Sequence, residues 1–90
     1  MNIRHDEAQS RFASDHEEPA FLAYDKRADG TLDLHHTAVP SSLEGQGVGS
    51  QLVRYAIDHA RAKGVKIVPT CGFVRGWLDR HPDQADVVAT

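Results

Sequence analysis

Gly45, Gly47 and Gly49 alternate with Gln46 and Val48 in the segment Leu43-Glu44-Gly45-Gln46-Gly47-Val48-Gly49-Ser50-Gln51-Leu52. A strand-like run ending at Val39-Pro40 precedes the segment, and an amphipathic run follows it. A glycine-rich turn between strand and helix gathers bare backbone N–H groups and the positive end of a helix dipole at one point. Such a turn suits a phosphate or pyrophosphate group. No lysine follows the glycines, so the nucleotide-hydrolase loop Gly-x-x-x-x-Gly-Lys-Ser/Thr is excluded. The spacing is Gly-x-Gly-x-Gly, with Leu52 where a dinucleotide fingerprint requires its last glycine.

Cys71 is the sharpest chemical candidate. It lies between a short β-branched run and the start of an apolar stripe, where a helix N-terminus would favour the nucleophilic thiolate. A small buried hydrophobe filling the same corner is the structural alternative. His36 is the second candidate, since an imidazole can remove a proton from an ammonium or a thiol near neutral pH. By alternation it shares a strand face with Leu32 and Leu34, which equally suits a satisfied core histidine. His35 points the other way. Adjacent strand residues cannot readily chelate one ion, and no zinc spacing of Cys and His occurs, so no metal is expected. Arg75 and Arg54, each one turn into a helix, could reach phosphates; a solvated face is the plainer reading for Arg54.

The elements that must position these groups can be read from periodicity and turn chemistry. Asn2 to His5 and Arg11 to Ser14 read as short strands around a polar turn, and Asp15 to Pro19 as a loop. Ala20 to Asp25 and Thr31 to Val39 form a hairpin across Asp29-Gly30. From about Gln46 to Lys63, Val48, Leu52, Val53, Ala56, Ile57 and Ala60 follow helical spacing, and Gly64 stops the helix. Val65 to Val68 reads as a buried strand. Phe73, Val74, Trp77 and Leu78 form the stripe of a second helix closed by Pro82, and Asp86 to Val88 could add a last strand. The order predicts an α+β fold: a mostly antiparallel sheet with one parallel β-α-β crossover and two helices.

At 90 residues the chain can bury one modest core, so residues 1–90 are expected to form a single domain. Its composition, 40% hydrophobic and 26% charged, is that of an ordinary soluble protein. A net charge of −3 without a basic stripe argues against nucleic acid, and no apolar run is long enough to span a membrane. The single cysteine excludes an internal disulfide and points to a reducing, cytoplasmic setting.

The glycine segment resembles the coenzyme A loop of the GNAT N-acetyltransferase superfamily, Arg/Gln-x-x-Gly-x-Gly/Ala, laid on Glu44 to Gly49. Around it, His36-Thr37-Ala38-Val39, the Gly45-Gln46-Gly47-Val48-Gly49 loop and Cys71-Gly72-Phe73 occur in the order of a small, single-domain GNAT-like subfamily. The resemblance covers roughly residues 20 to 85. It implies a minimal GNAT fold whose crossover strands splay into a V-shaped slot for acetyl-coenzyme A. Ala38 and Val39 would offer backbone bonds to the pantetheine arm, and Gly45, Gln46, Gly47, Val48, Gly49 and Ser50 would hold the pyrophosphate, with Arg75 near by.

By the same resemblance, Cys71 and His36 would serve transfer of acetyl to an amine of unspecified identity. The alternative is a module that binds acetyl-coenzyme A without catalysis. Three departures stand out. Glu44 occupies the Arg/Gln position and is expected to point into solvent, Trp77 lies on the helix where many members place an acid tyrosine, and Gln84 replaces an aromatic after His-Pro-acid. An acceptor site left open, or completed by another chain, is also expected of so short a member.

Overall fold

A computed structural model of the chain describes residues 2–89. Five strands, β1 (Ile3–Asp6), β2 (Arg11–Ser14), β3 (Phe21–Lys26), β4 (Leu32–Ala38) and β5 (Ile67–Pro69), form one sheet in sequence order. The first three pairings are antiparallel and β4–β5 is parallel. Two helices, α1 (Val48–Lys63) and α2 (Gly72–Arg80), complete the mixed α+β architecture. Short 3-10 turns occupy Glu7–Gln9, Ser41–Leu43 and Pro82–Val87. The hairpin turn forms where Asp29-Gly30 predicts it: Gly30 has a φ of +89°, and the Asp29 carboxylate accepts the Thr31 N–H at 2.9 Å.

One departure from strict alternation decides the chemistry of β4. Tyr24 pairs with Leu34, but the next β3 residue back, Ala23, pairs with His36, so His35 is an extra residue. A bulge of this kind displaces one residue, and because the side-chain period is two, it reverses the facing of everything beyond it. His36 therefore does not share the face of Leu32 and Leu34 as alternation predicts. It is exposed and lies against the Phe21 ring, with centroids 5.9 Å apart. Thr37 takes the inward position instead, opposite the buried Leu22.

The predicted apolar positions of α1, from Val48 to Ala60, are all buried, and with Phe12, Leu22, Leu34, Ile67 and Trp77 they form one core. The helix starts at Val48 rather than Gln46, because Gly47 holds a left-handed φ of +75° that no helical residue adopts. At the other end Gly64, φ +70°, donates to the carbonyls of Ala60 and Arg61. Val65 also donates to Ala60, so it belongs to the helix cap, and β5 begins two residues later than its apolar run suggests. The last strand expected at Asp86 to Val88 does not form. The 3-10 turn carries the chain through Val87, and only Val88 makes an isolated bridge to Ile67. Arg61 ties this tail down through Asp86 (2.8 Å) and Gln84 (3.1 Å).

Candidate active site

Alternating glycines in the turn before α1 serve two different needs. Gly45 and Gly47 have φ of +78° and +75°, a region that side chains with a Cβ disfavour. Gly49 is helical, but a Cβ there would meet Phe73 Cζ at 2.7 Å, so its role is close approach. The turn and Phe73 bound a cavity of about 270 Å³, walled also by Val39, Leu43, Val48 and Ser50. Gly47 caps α1 without a side-chain bond, so the first-turn N–H groups of Val48, Gly49 and Ser50 have no intrahelical acceptor. A concave, glycine-lined surface carrying such donors fits a pyrophosphate. Glu44 is exposed in an extended conformation, as expected, yet it also borders the cavity. Gln46 is exposed and its amide donates to the Ser42 carbonyl at 3.1 Å.

Next to this cavity β4 loses its parallel neighbour. The last register pair is Leu34 with Pro69, and Cys71 N–H donates to the Leu34 carbonyl at 2.9 Å. The chain then turns into α2, while β4 runs on to Ala38 with β3 alone beside it. The strands thus part at Leu34. The β4 edge from His35 to Val39 can pair with an extended ligand as another strand would. Ala38 and Val39 stand on this edge.

Cys71 sits where the strands separate, half-buried at the N-cap of α2. Its sulfur lies 3.5 Å from Thr37 Oγ1, a contact that the β4 bulge creates by turning Thr37 inward. Burial is the largest single influence on the thiol and pushes its pKa up. Hydrogen bonds from the Thr37 hydroxyl and from the backbone of Val74, Phe73 and Thr37 outweigh it, and the net shift is below the ordinary thiol value. The thiolate is therefore favoured by groups already in place.

Other sequence candidates are dispersed. His36 stands on the opposite sheet face from Thr37, so the strand separates it from the Cys71–Thr37 pair. Arg75 donates to the carbonyls of Thr70 (2.6 Å) and Pro69 (3.2 Å), holding the end of β5 against α2. Arg54 is not simply solvated: its guanidinium lies over the Trp77 ring, 5.5 Å from the centroid. Trp77 itself is buried and stacked on His81 at 3.9 Å. Thr37 and Phe73 are the residues that sequence reasoning undervalued. Phe73 is 42% exposed because it walls the cavity instead of joining the core stripe. Among the described residues, no group of three or more His, Cys, Asp or Glu is arranged to hold a metal ion.

A model of the GCN5-related N-acetyl-transferase family matches residues 9–87. The chain belongs to this family. GNAT proteins as a family transfer acetyl groups and generally use acetyl-coenzyme A as the donor. The chain is 26% identical over 85 residues to Protein NATD1 of Xenopus tropicalis, covering 91% of this chain and 78% of the relative. It is 25% identical over 85 residues to Protein NATD1 of Danio rerio, covering 91% and 77%. A GCN5-like protein of Staphylococcus aureus, solved by NMR in solution, superposes with a TM-score of 0.74 at 29% identity, covering 98% of this chain and 87% of that one.

Proposed function

We propose that this GNAT protein transfers acetyl from acetyl-coenzyme A to an amine, with the Cys71 thiolate as first acceptor of the group. The observation that carries the reading is the Cys71–Thr37 contact at the point where β4 and β5 part. Acetyl-coenzyme A supplies an activated acyl group as its thioester. The N–H groups of Val48 to Ser50 would hold its pyrophosphate, and the β4 edge at Ala38 and Val39 its pantetheine arm. Gly45, Gln46 and Gly47 would shape the turn, while Arg75 fixes the end of β5 beside it.

Cys71 forms the new bond to the acetyl carbon as the bond to the coenzyme sulfur breaks, and the proton surrendered by Cys71 ends on the departing thiol. The thioester count is unchanged, so the step needs no oxidant or other reactant. An amine then displaces Cys71 from the acetyl carbon and forms an amide. The proton lost by the attacking neutral amine passes to the displaced Cys71 thiolate, and His36, on the opposite face of β4, lies away from that transfer. A thiol with this role requires a reducing compartment, which favours the cytoplasm.

Intact-mass spectrometry after incubation with acetyl-coenzyme A tests the reading. One acetyl adduct is expected on the native chain, none on Cys71→Ser, and slower formation on Thr37→Val. Acetylation of an added amine at an undiminished rate by Cys71→Ser would replace the relay with direct transfer. Retention of the coenzyme with neither adduct nor transfer would favour a non-catalytic binding module.

A further inference from the structure

Beyond the donor site, a second cavity of about 400 Å³ lies at the other end of α1, between β1, β3 and the C-terminal half of the helix. His59 on its wall is eleven residues past Val48, or about 16 Å along the helix axis. None of its lining residues takes part in the reading above. His5, Tyr24 and His59 form an aromatic floor: His5 Nε2 bonds to the Tyr24 hydroxyl at 2.6 Å, and the His59 ring stands edge-on to His5 at 4.5 Å. Lys26 and Lys63 also line the cavity.

We infer that this cavity binds a small oxyanion, a carboxylate or a phosphate, between Lys26 and Lys63 above the His5–Tyr24–His59 floor. The charge balance carries the argument. Two groups around the cavity are cationic and two more can become so, against one lining carboxylate, Glu7, whose side chain is 82% exposed and lies 3.8 Å from His5 Nδ1. Asp6, at the end of β1, also acts on Tyr24 but is engaged by Arg4 and Arg11. Burial, then His5 and Lys63, hold the His59 pKa below its ordinary value, while Glu7 opposes them only in part. An anion would offset the part of this lowering that His5 and Lys63 contribute by charge. Leu32, Gly30 and Val65 give the cavity a nonpolar side, so a compact anion with a small apolar part also fits. A metal suits the cluster less well, because Tyr24 already engages the His5 nitrogen that faces it.

The site stands apart from the donor turn, and its test separates the two. The 15N-labelled full chain is titrated with sodium phosphate and, separately, sodium acetate, against sodium chloride at matched ionic strength. Saturable shifts are expected at His5, Tyr24, His59 and Lys63. Acetate, a monoanion throughout this range, should bind at least about threefold tighter near about pH 6 than near about pH 8, because the anion favours protonated imidazole. The double variant Lys26→Ala/Lys63→Ala, altered only at exposed positions, should lose about tenfold in affinity, the effect of about 1.4 kcal/mol. Saturation by phosphate alone would narrow the ligand to a phosphate bearer and still support the site. Shifts confined to residues 45–50, shifts no larger than with chloride, or undiminished binding by the double variant would each overturn it.

Discussion

At the scale of single residues, the glycine turn makes two distinguishable predictions. Gly47→Ala forces a Cβ into a φ of +75° and should cost about 1–2 kcal/mol, read as a lowered midpoint of chemical unfolding. In Gly49→Ala the new Cβ meets only the tip of Phe73, a partly exposed ring that can rotate away. That variant should lose about 1 kcal/mol or less in stability, while the displaced ring weakens binding of coenzyme A. Removing the ring as well, in Gly49→Ala/Phe73→Ala, should relieve the clash. Calorimetric titration with coenzyme A beside thermal unfolding would separate the two glycines, and equal stability losses would refute this division of labour.

Cys71 supplies the residue-scale pH prediction. Its alkylation rate should rise with an inflection below the ordinary thiol value, and Thr37→Val should move that inflection up. The linkage sign follows from an acid whose folded pKa is depressed. The ionised thiol contributes stability above the unfolded value of about 8.5, and this contribution is lost as pH falls through the lower folded value. An inflection unmoved in Thr37→Val would remove the hydroxyl from the account.

At the scale of elements, the pairing of β4 with β3 decides which side chain meets Cys71. Deleting His35 would restore plain alternation with His36 still opposite Ala23 and Thr37 still opposite Leu22, so both side chains keep their faces without the bulge. The deletion should therefore cost about 1 kcal/mol or less, read as a nearly unmoved midpoint of chemical unfolding. The Cys71 inflection should stay below that of an ordinary thiol, because Thr37 remains inward beside the sulfur. A large loss of stability with an inflection returned to the ordinary thiol value would show that the bulge itself, and not the pairing with β3, places Thr37. The bulge was not legible in the sequence. His35-His36 carries no glycine or proline to mark it, and either register satisfies local propensity. It is set by pairing with β3 and by the need to bury Leu22 opposite a side chain that fits. By contrast, both hairpin turn and α1 were legible, because Asp29-Gly30 and the spacing from Val48 to Ala60 act within a few residues.

At the scale of the whole molecule, stability should depend on acidity in two separate windows. His59 is a base whose folded pKa is depressed, chiefly by burial and then by His5 and Lys63. Folding is therefore unperturbed above its unfolded value of about 6.5 and loses stability as pH falls below it. Asp29, Asp33 and Asp86 are carboxylates held below their ordinary range by Thr31, by the Thr70 hydroxyl and by Arg61 respectively. Their contributions persist above about pH 4 and disappear only below it. Thermal midpoints recorded from neutral to acid pH should first decline near pH 6. His59→Gln should flatten that first decline and leave the second, and an unaltered profile would count against the histidine cluster.

What the sequence by itself determined is local: the glycine turn, the helix stripes, the succession of most elements along the chain and the family that these motifs mark. Each depends on neighbours within a few positions, whose periodicity or backbone freedom is written in the residue types. Tertiary structure alone decided which β4 side chain meets Cys71, that Phe73 stands over Gly49, and that His5, Tyr24 and His59 meet at the far end of α1. Those contacts join residues from different elements, and cross-strand register and helix packing fix them together. No single segment carries that information, because exchanging one sheet face for the other costs a strand nothing until its partners are in place.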